Sequence, residues 1–234
     1  MLEQEKATVT KALITHFHHD HVGGIWDLKK LCPGTAVYKK APTADEREAQ
    51  GIRNIDDGDA FAVEGATLTA VYTPGHAPDH MCFVLGEENA LFTGDNVLGH
   101  GSSSFVNLAQ YMASLQRMLE LKPGRAYPGH GQLIEAGQNR VAEYIRHRQR
   151  REAQVVRALL AFGDERGDEG AAATSMELVQ KIYVDIDPAL HRAAEVGVIQ
   201  VLEKLEREGV VGSLKRNETS KWHVFAERSI ELVL

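Results

Sequence analysis

His16, His18, Asp20 and His21 crowd into the run Thr15-His16-Phe17-His18-His19-Asp20-His21, directly after the apolar stretch Ala12-Leu13-Ile14. Neutral imidazoles and a carboxylate are the donors a borderline divalent ion such as zinc takes, and a turn at a strand end can aim alternate side chains at one point. The same run also suits a solvated histidine-rich loop that takes metal adventitiously. The rest of the chain has to decide between them.

Three later residues supply that context, each after an apolar run that ends in a glycine turn. Val71-Tyr72-Thr73-Pro74-Gly75-His76 presents His76, Ala90-Leu91-Phe92-Thr93-Gly94-Asp95 presents Asp95, and Arg125-Ala126-Tyr127-Pro128-Gly129-His130-Gly131 presents His130. Glycine lets the backbone turn sharply and approach a ligand closely. Singly, each residue reads equally well as a hydrogen-bonded histidine or a turn aspartate; their succession argues for a shared site.

The His-x-His-x-Asp-His run, Pro-Gly-His76, Thr-Gly-Asp95 and Pro-Gly-His130 resemble the metallo-β-lactamase superfamily of binuclear metal hydrolases. The wider runs Tyr72 to Met81 and Thr93 to Gly101 are similar to the β-lactamase-like protein 2 group, which spans metazoan endoribonucleases and lactamase-like thioesterases of fungal polyketide pathways. The likeness extends from about Thr10 to the C-terminus. It implies one metal on His16, His18 and His76, a second on Asp20, His21 and His130, and Asp95 bridging them. Two zinc ions per chain are the implied cofactors, and a metal-bound hydroxide the implied nucleophile. Asp20, beside it, is then the group to accept a proton and return it to the leaving group. His19 has no ligand role in the pattern, and His80 and His100, close in sequence to the site, read as ordinary polar residues near a loop, with contact to substrate as the alternative. Gly101-Ser102-Ser103-Ser104 is no nucleophile elbow, and neither cysteine sits near a base.

The elements that must carry these residues alternate between β-type and helical runs from Ala12 to about Ile134. Val37-Tyr38, Ala66 to Tyr72, Met81 to Leu85 and Ala90 to Phe92 read as strands. Leu108 to Leu121 is helical, with Leu108, Met112, Leu115 and Leu119 on one face, and Pro123-Gly124 stops it. The fold class is mixed α/β, with ligands on loops along one sheet edge; the resemblance implies an αβ/βα sandwich over residues 1–137. Residues 138–234 change to helices. Arg140 to Phe162 is one long helix and Gly163 to Ala173 an acidic loop. A capping box at Thr174-Ser175-Met176-Glu177 opens the next helix. Asp187-Pro188 opens another, striped by Leu190, Ala194, Val198, Val201, Leu202 and Leu205 and stopped by Gly209. Val210 to Leu214 and Lys221 to Ala226 form a hairpin through Asn217-Glu218. That order is winged-helix-like, and we expect the module to act as a lid or wall shaping substrate access.

With 234 residues and 43% hydrophobic content the chain has enough material for a core. Its start is too charged for a secretory signal, no run approaches a membrane span, and Cys32 and Cys82 suit a reducing compartment. A cytoplasmic location without membrane partners is the expectation; the oligomeric state is left open. The net charge of −7 gives no footprint for nucleic acid. Arg140, Arg146, Arg148, Arg150, Arg151 and Arg157, with His147 among them, read as a solvated helix face or a contact for a polyanion or acidic carrier protein. The leading function is a zinc-dependent hydrolase of an acyl thioester, releasing a polyketide or related acyl chain from a carrier protein. A metal-dependent endoribonuclease on single-stranded RNA and an inactive binding paralogue are the alternatives.

In the family, strands and an Asp-Thr-Gly turn precede the histidine run, whereas about a dozen residues do so here. The first sheet is therefore expected to show an unpaired edge or a missing layer, exposing apolar surface. A chain extended at its N-terminus is expected to be active and this chain alone to be unstable. A cooperative thermal melt together with two bound zinc ions would overturn that expectation.

Overall fold

The computed structural model describes residues 7–166, 172–216 and 219–225, which divide into two compact units, 1–145 and 146–234. Unit 1 opens with strand β1 (Lys11–Leu13), the short helices α1 (His19–Val22) and α2 (Ile25–Leu31), β2 (Ala36–Lys39), α3 (Ala44–Glu48) and β3 (Arg53–Asn54). β1 and β2 pair in parallel, as do β2 and β3, in the order β1-β2-β3. β1 is thus an edge strand among the described residues. On α2, Trp26 and Leu31 stand in solvent.

A second sheet follows: β4 (Ala60–Val63), β5 (Ala66–Tyr72), β6 (Met81–Leu85), β7 (Ala90–Gly94) and β8 (Arg125–Pro128), hydrogen-bonded in that order. β5, β6 and β7 pair antiparallel in turn, and β8 joins β7 in parallel. β5, β7 and β8 therefore run the same way. Their carboxyl ends, from which His76, Asp95 and His130 follow, share one edge of the sheet.

Alternation along the strands builds the core between the sheets. Leu68, Ala70 and Tyr72 of β5 and Met81 and Phe83 of β6 occupy every second position and pack with Leu13, Tyr38 and Ile55. A second cluster of Ile25, Val37 and Ile52 closes against Ala12, Ile14 and Val22. Apolar side chains of this size contribute roughly 2 kcal/mol each when fully buried. Helix α4 (Leu108–Glu120), capped by the Asn107 side chain on Gln110 N–H, buries Leu108, Tyr111, Leu115 and Met118. Its buried stripe runs through Tyr111 and Met118, while Met112 and Leu119, expected on that face, are half-buried flanks.

Helix α5 (Gly137–Arg166) runs through the boundary between units. It carries residues 163–166, which the sequence reading placed in a loop; Asp, Glu and Arg continue the helix at the roughly 1 kcal/mol cost of one interior glycine. The rest of that expected loop up to 171 lies outside the described residues. Unit 2 continues with β9 (Ala173–Thr174), α6 (Ser175–Ile182), α7 (His191–Arg207), β10 (Val211–Arg216) and β11 (Thr219–Val224). Thr174 and Glu177 form the capping box of α6. β11 pairs antiparallel with β10 and with β9, so the hairpin gains a third strand that the sequence did not reveal. The connection at 217–218 and Ala226 lie outside the described residues. Val198, Val201, Leu202 and Leu205 of α7 are buried, but Leu190 is 56% exposed. It sits in a 3₁₀ turn, Pro188–Leu190, whose three-residue period breaks the helical stripe. Lys204 ties α7 to α5 through Glu152, 2.9 Å away and almost fully buried.

Gly75 joins the sheet to α4 in the tightest way. Its φ is +135°, and a Cβ there would lie 2.3 Å from the Tyr111 Cα. Gly75→Ala is expected to cost on the order of 3 kcal/mol, because both backbone strain and overpacking against main chain apply. Urea unfolding of the variant measures it, and an unchanged midpoint would contradict the close packing.

Candidate metal centre

Four loops converge at the sheet edge. The first leaves β1 with Thr15 to His18 and turns into α1, which carries Asp20 and His21. The others follow β5, β7 and β8. All seven residues expected from the sequence meet there. His16, His18 and His76 form one group, Asp20, His21 and His130 a second, and His16, His21 and Asp95 a third that joins them, the ligand atoms of each lying within 4.8 Å of one another. Asp95 stands between the groups: its Oδ2 is 3.7 Å from His76 Nε2 and 3.5 Å from His130 Nε2, and its Oδ1 is 3.4 Å from His21 Nε2.

The hydrogen-bond arithmetic favours a cation at this point. His76 Nδ1 lies 2.9 Å from the Ser104 carbonyl, which only accepts, so Nδ1 carries the proton and Nε2 presents a lone pair. His18 Nδ1 is 3.1 Å from that lone pair and 2.9 Å from His16 Nε2. A neutral ring has one proton to offer, and His18 Nδ1 cannot serve both contacts. His21 Nε2 and Asp95 Oδ1 are buried with no hydrogen-bond partner. A Cβ at Gly129 would come within 2.4 Å of Asp95 Oδ1 and 3.0 Å of His21 Cε1, so the glycine keeps that space open. Clustered lone pairs and orphaned buried atoms of nitrogen and oxygen type fit divalent metal ions.

Burial, reinforced by His21, His76 and His18, pushes the His16 imidazole down to about 3. Burial likewise lowers His76 and holds His80 well below the ordinary value. Asp20 differs, being 56% exposed in its side chain with Oδ2 2.9 Å from His130 Nε2. Desolvation pushes its carboxyl up, but its own backbone N–H together with His21 and His130 holds it below the usual range. It is ionised at neutral pH.

Supports that the sequence does not assign surround the ligands, among them His80, expected above to be an ordinary polar residue near a loop. His80 is fully buried, and its Nε2 accepts from the Asp95 N–H at 3.1 Å. Asp79 accepts from the Phe17 N–H and pairs with the buried Lys39. The signal was an acid and a histidine just after a Pro-Gly-His turn; nothing in the sequence marked Lys39. Tyr144 of α5 accepts from Leu98 N–H and donates to the Gly101 carbonyl, fixing the segment that leads to Ser104. His19 and His100 are exposed. Cys82 is buried beneath the site, accepts from Thr73 Oγ1, and has its thiol pushed by burial up to about 12.

Residues 2–130 match the Metallo-beta-lactamase superfamily and residues 174–222 the Beta-lactamase associated winged helix domain. The chain belongs to the metallo-β-lactamase superfamily, whose members are generally hydrolases, and carries the associated winged helix. It is 42% identical over 234 residues to lactamase-like protein aptB of Emericella nidulans, covering 97% of this chain and 73% of that one. Over 230 residues it is 40% identical to lactamase-like protein GME11357 of Pestalotiopsis microspora, covering 95% and 70%. In fold it is similar to a beta-lactamase domain protein from Burkholderia ambifaria, with TM-score 0.74 and 18% identity over 94% of this chain and 75% of that one. A metallo-beta-lactamase family protein from Thermus thermophilus gives TM-score 0.65 at 24% identity, covering 93% and 80%. Among the described residues no helix is long and apolar enough to cross a membrane.

In the unfolded chain His16 titrates near 6.5, whereas folding keeps it neutral down to about 3. Its folded pKa is the lower one, so the unfolded chain binds protons first. The stabilising effect is present above 6.5 and is lost as pH falls toward 3. Urea unfolding of metal-free protein is expected to give a lower midpoint at about pH 5.5 than at about pH 7.5. Equal midpoints would mean the imidazoles are solvated.

Proposed function

We propose that the chain is a binuclear metal-dependent hydrolase of acyl thioesters, with zinc as the resident metal and a carrier-protein-bound acyl chain as the substrate class. The observation that carries the hydrolase reading is the meeting of two ligand groups on one carboxylate, Asp95. His16, His18 and His76 would hold one ion, Asp20, His21 and His130 the other. Bound there, the ions would supply Lewis acidity and a water acidified to near neutrality.

The chain's own residues then divide the work. Ser104 fixes the His76 tautomer, and the burial of His16 and His76 keeps both rings neutral at working pH, so that each leaves one nitrogen lone pair available. Asp20, ionised and open to solvent, accepts the proton of the attacking water as its oxygen bonds to the acyl carbon. When the C–S bond breaks, the departing sulfur takes that proton and the acid is released. Thioester over RNA is favoured by the net charge of −7, since phosphate binding draws on Lys and Arg.

In its folded state the protein, loaded with zinc, is expected to hydrolyse an acyl-thioester model substrate, with about two metal equivalents bound per chain. Asp20→Asn is expected to lower kcat by roughly a hundredfold or more. Unchanged turnover in that variant would remove the proton-transfer role. Hydrolysis of single-stranded RNA in place of the thioester would overturn the substrate class, and a chain without bound metal would overturn the hydrolase.

A further inference from the structure

Three consecutive residues after the His76 turn reach into both neighbouring ligand loops. Asp79 Oδ1 accepts from the Phe17 N–H at 3.3 Å, and Phe17 is the residue between His16 and His18. His80 Nε2 accepts from the Asp95 N–H. The Met81 N–H donates to the Thr15 carbonyl at 2.7 Å. A single segment therefore holds the backbone on either side of His16 and at the aspartate between the two groups.

Each side chain in this arrangement is itself fixed. Because His80 Nε2 accepts, its proton lies on Nδ1 and goes to Thr73 Oγ1 at 3.0 Å, whose hydroxyl donates onward to Cys82 Sγ. Gly94, with φ +49°, permits the approach: a Cβ there would sit 2.6 Å from His80 Nε2. Asp79 turns its second oxygen to Lys39 Nζ at 3.2 Å, and Glu46 Oε2 lies 3.4 Å from the same ammonium. Lys39 is 3% exposed, and a buried ammonium costs several kcal/mol unless it is paired. The pair locks Asp79 in the orientation that faces Phe17. Glu46 is in turn held by the Thr43 cap of α3.

We propose that Asp79 and His80 are positioning residues for a divalent cation, a clamp that sets the first loop and Asp95 in their ligating arrangement before an ion arrives. The proposal rests on the metal-site reading above. Neither residue bonds the ion; both act through peptide groups of, or next to, residues that do. Partners of this kind typically contribute ten- to hundredfold in metal affinity.

The test uses the full chain, stripped of metal and titrated with zinc alone against a chelating competitor, with cobalt(II) absorption as a measure of site geometry. Asp79→Ala and His80→Phe are expected to weaken zinc binding by about ten- to hundredfold and to alter the cobalt spectrum. His80→Gln retains an acceptor and is expected to recover much of both, which keeps the test sound if a harsher variant fails to fold. Folded variants that bind as tightly as the parent with its spectrum would overturn the clamp alone. A parent chain that takes up no divalent ion would overturn the metal reading and the clamp with it.

Discussion

Too few protons for too many nitrogens is the constraint on which the site depends. Imidazoles at His16, His18 and His76 present nitrogen atoms 2.9 to 3.1 Å apart, one of which can only accept. Such a group repels itself, and Asp95 adds carboxylate oxygens at its border. An arrangement of this kind persists only where the surrounding structure enforces it. Buried, hydrogen-bonded peptide groups and paired charges do so from the first sheet, the second sheet and α4 at once.

Strand direction explains why so few elements suffice. Because β5, β7 and β8 run the same way, a glycine turn at or just past each strand end delivers His76, Asp95 and His130 to one edge. β1 brings the histidine run from the other sheet, where the Thr15 carbonyl accepts from Met81. The core beneath is apolar and regular. Irregularity gathers at the strand ends and in the loops: β7 shifts register against β8 between Phe92 and Gly94, and glycines there take backbone angles or close approaches that a side chain would obstruct.

The ligands were legible because metal chemistry restricts residue types and the turns that present them. β5 was legible because apolar residues alternate with threonines over Ala66 to Ala70, β6 because Met81 to Leu85 is a short unbroken apolar run, and α6 because its capping box is a local signal. β3 and β9 escaped, since a two-residue pairing leaves no pattern. The half-buried flanks of α4 and the exposed Leu190 escaped for another reason: a helical stripe marks a face, and packing decides where its centre falls. Lys39 was invisible because a lysine in a strand ordinarily reads as exposed, and only the tertiary arrangement supplies its two carboxylates. Asp79 and His80 sat in plain view, but their work is done on peptide groups far away in sequence.

Cys82 lies two residues beyond His80 and is linked to it through the Thr73 hydroxyl, but it belongs to none of the ligand groups. Burial keeps its proton on up to about 12, and its contacts with Thr73 and the Thr93 carbonyl occupy it otherwise. Hardness is thereby built into the centre. With only nitrogen and oxygen donors on offer, cadmium and copper(I) lose the sulfur that would favour them, and selection among metals falls to geometry and supply.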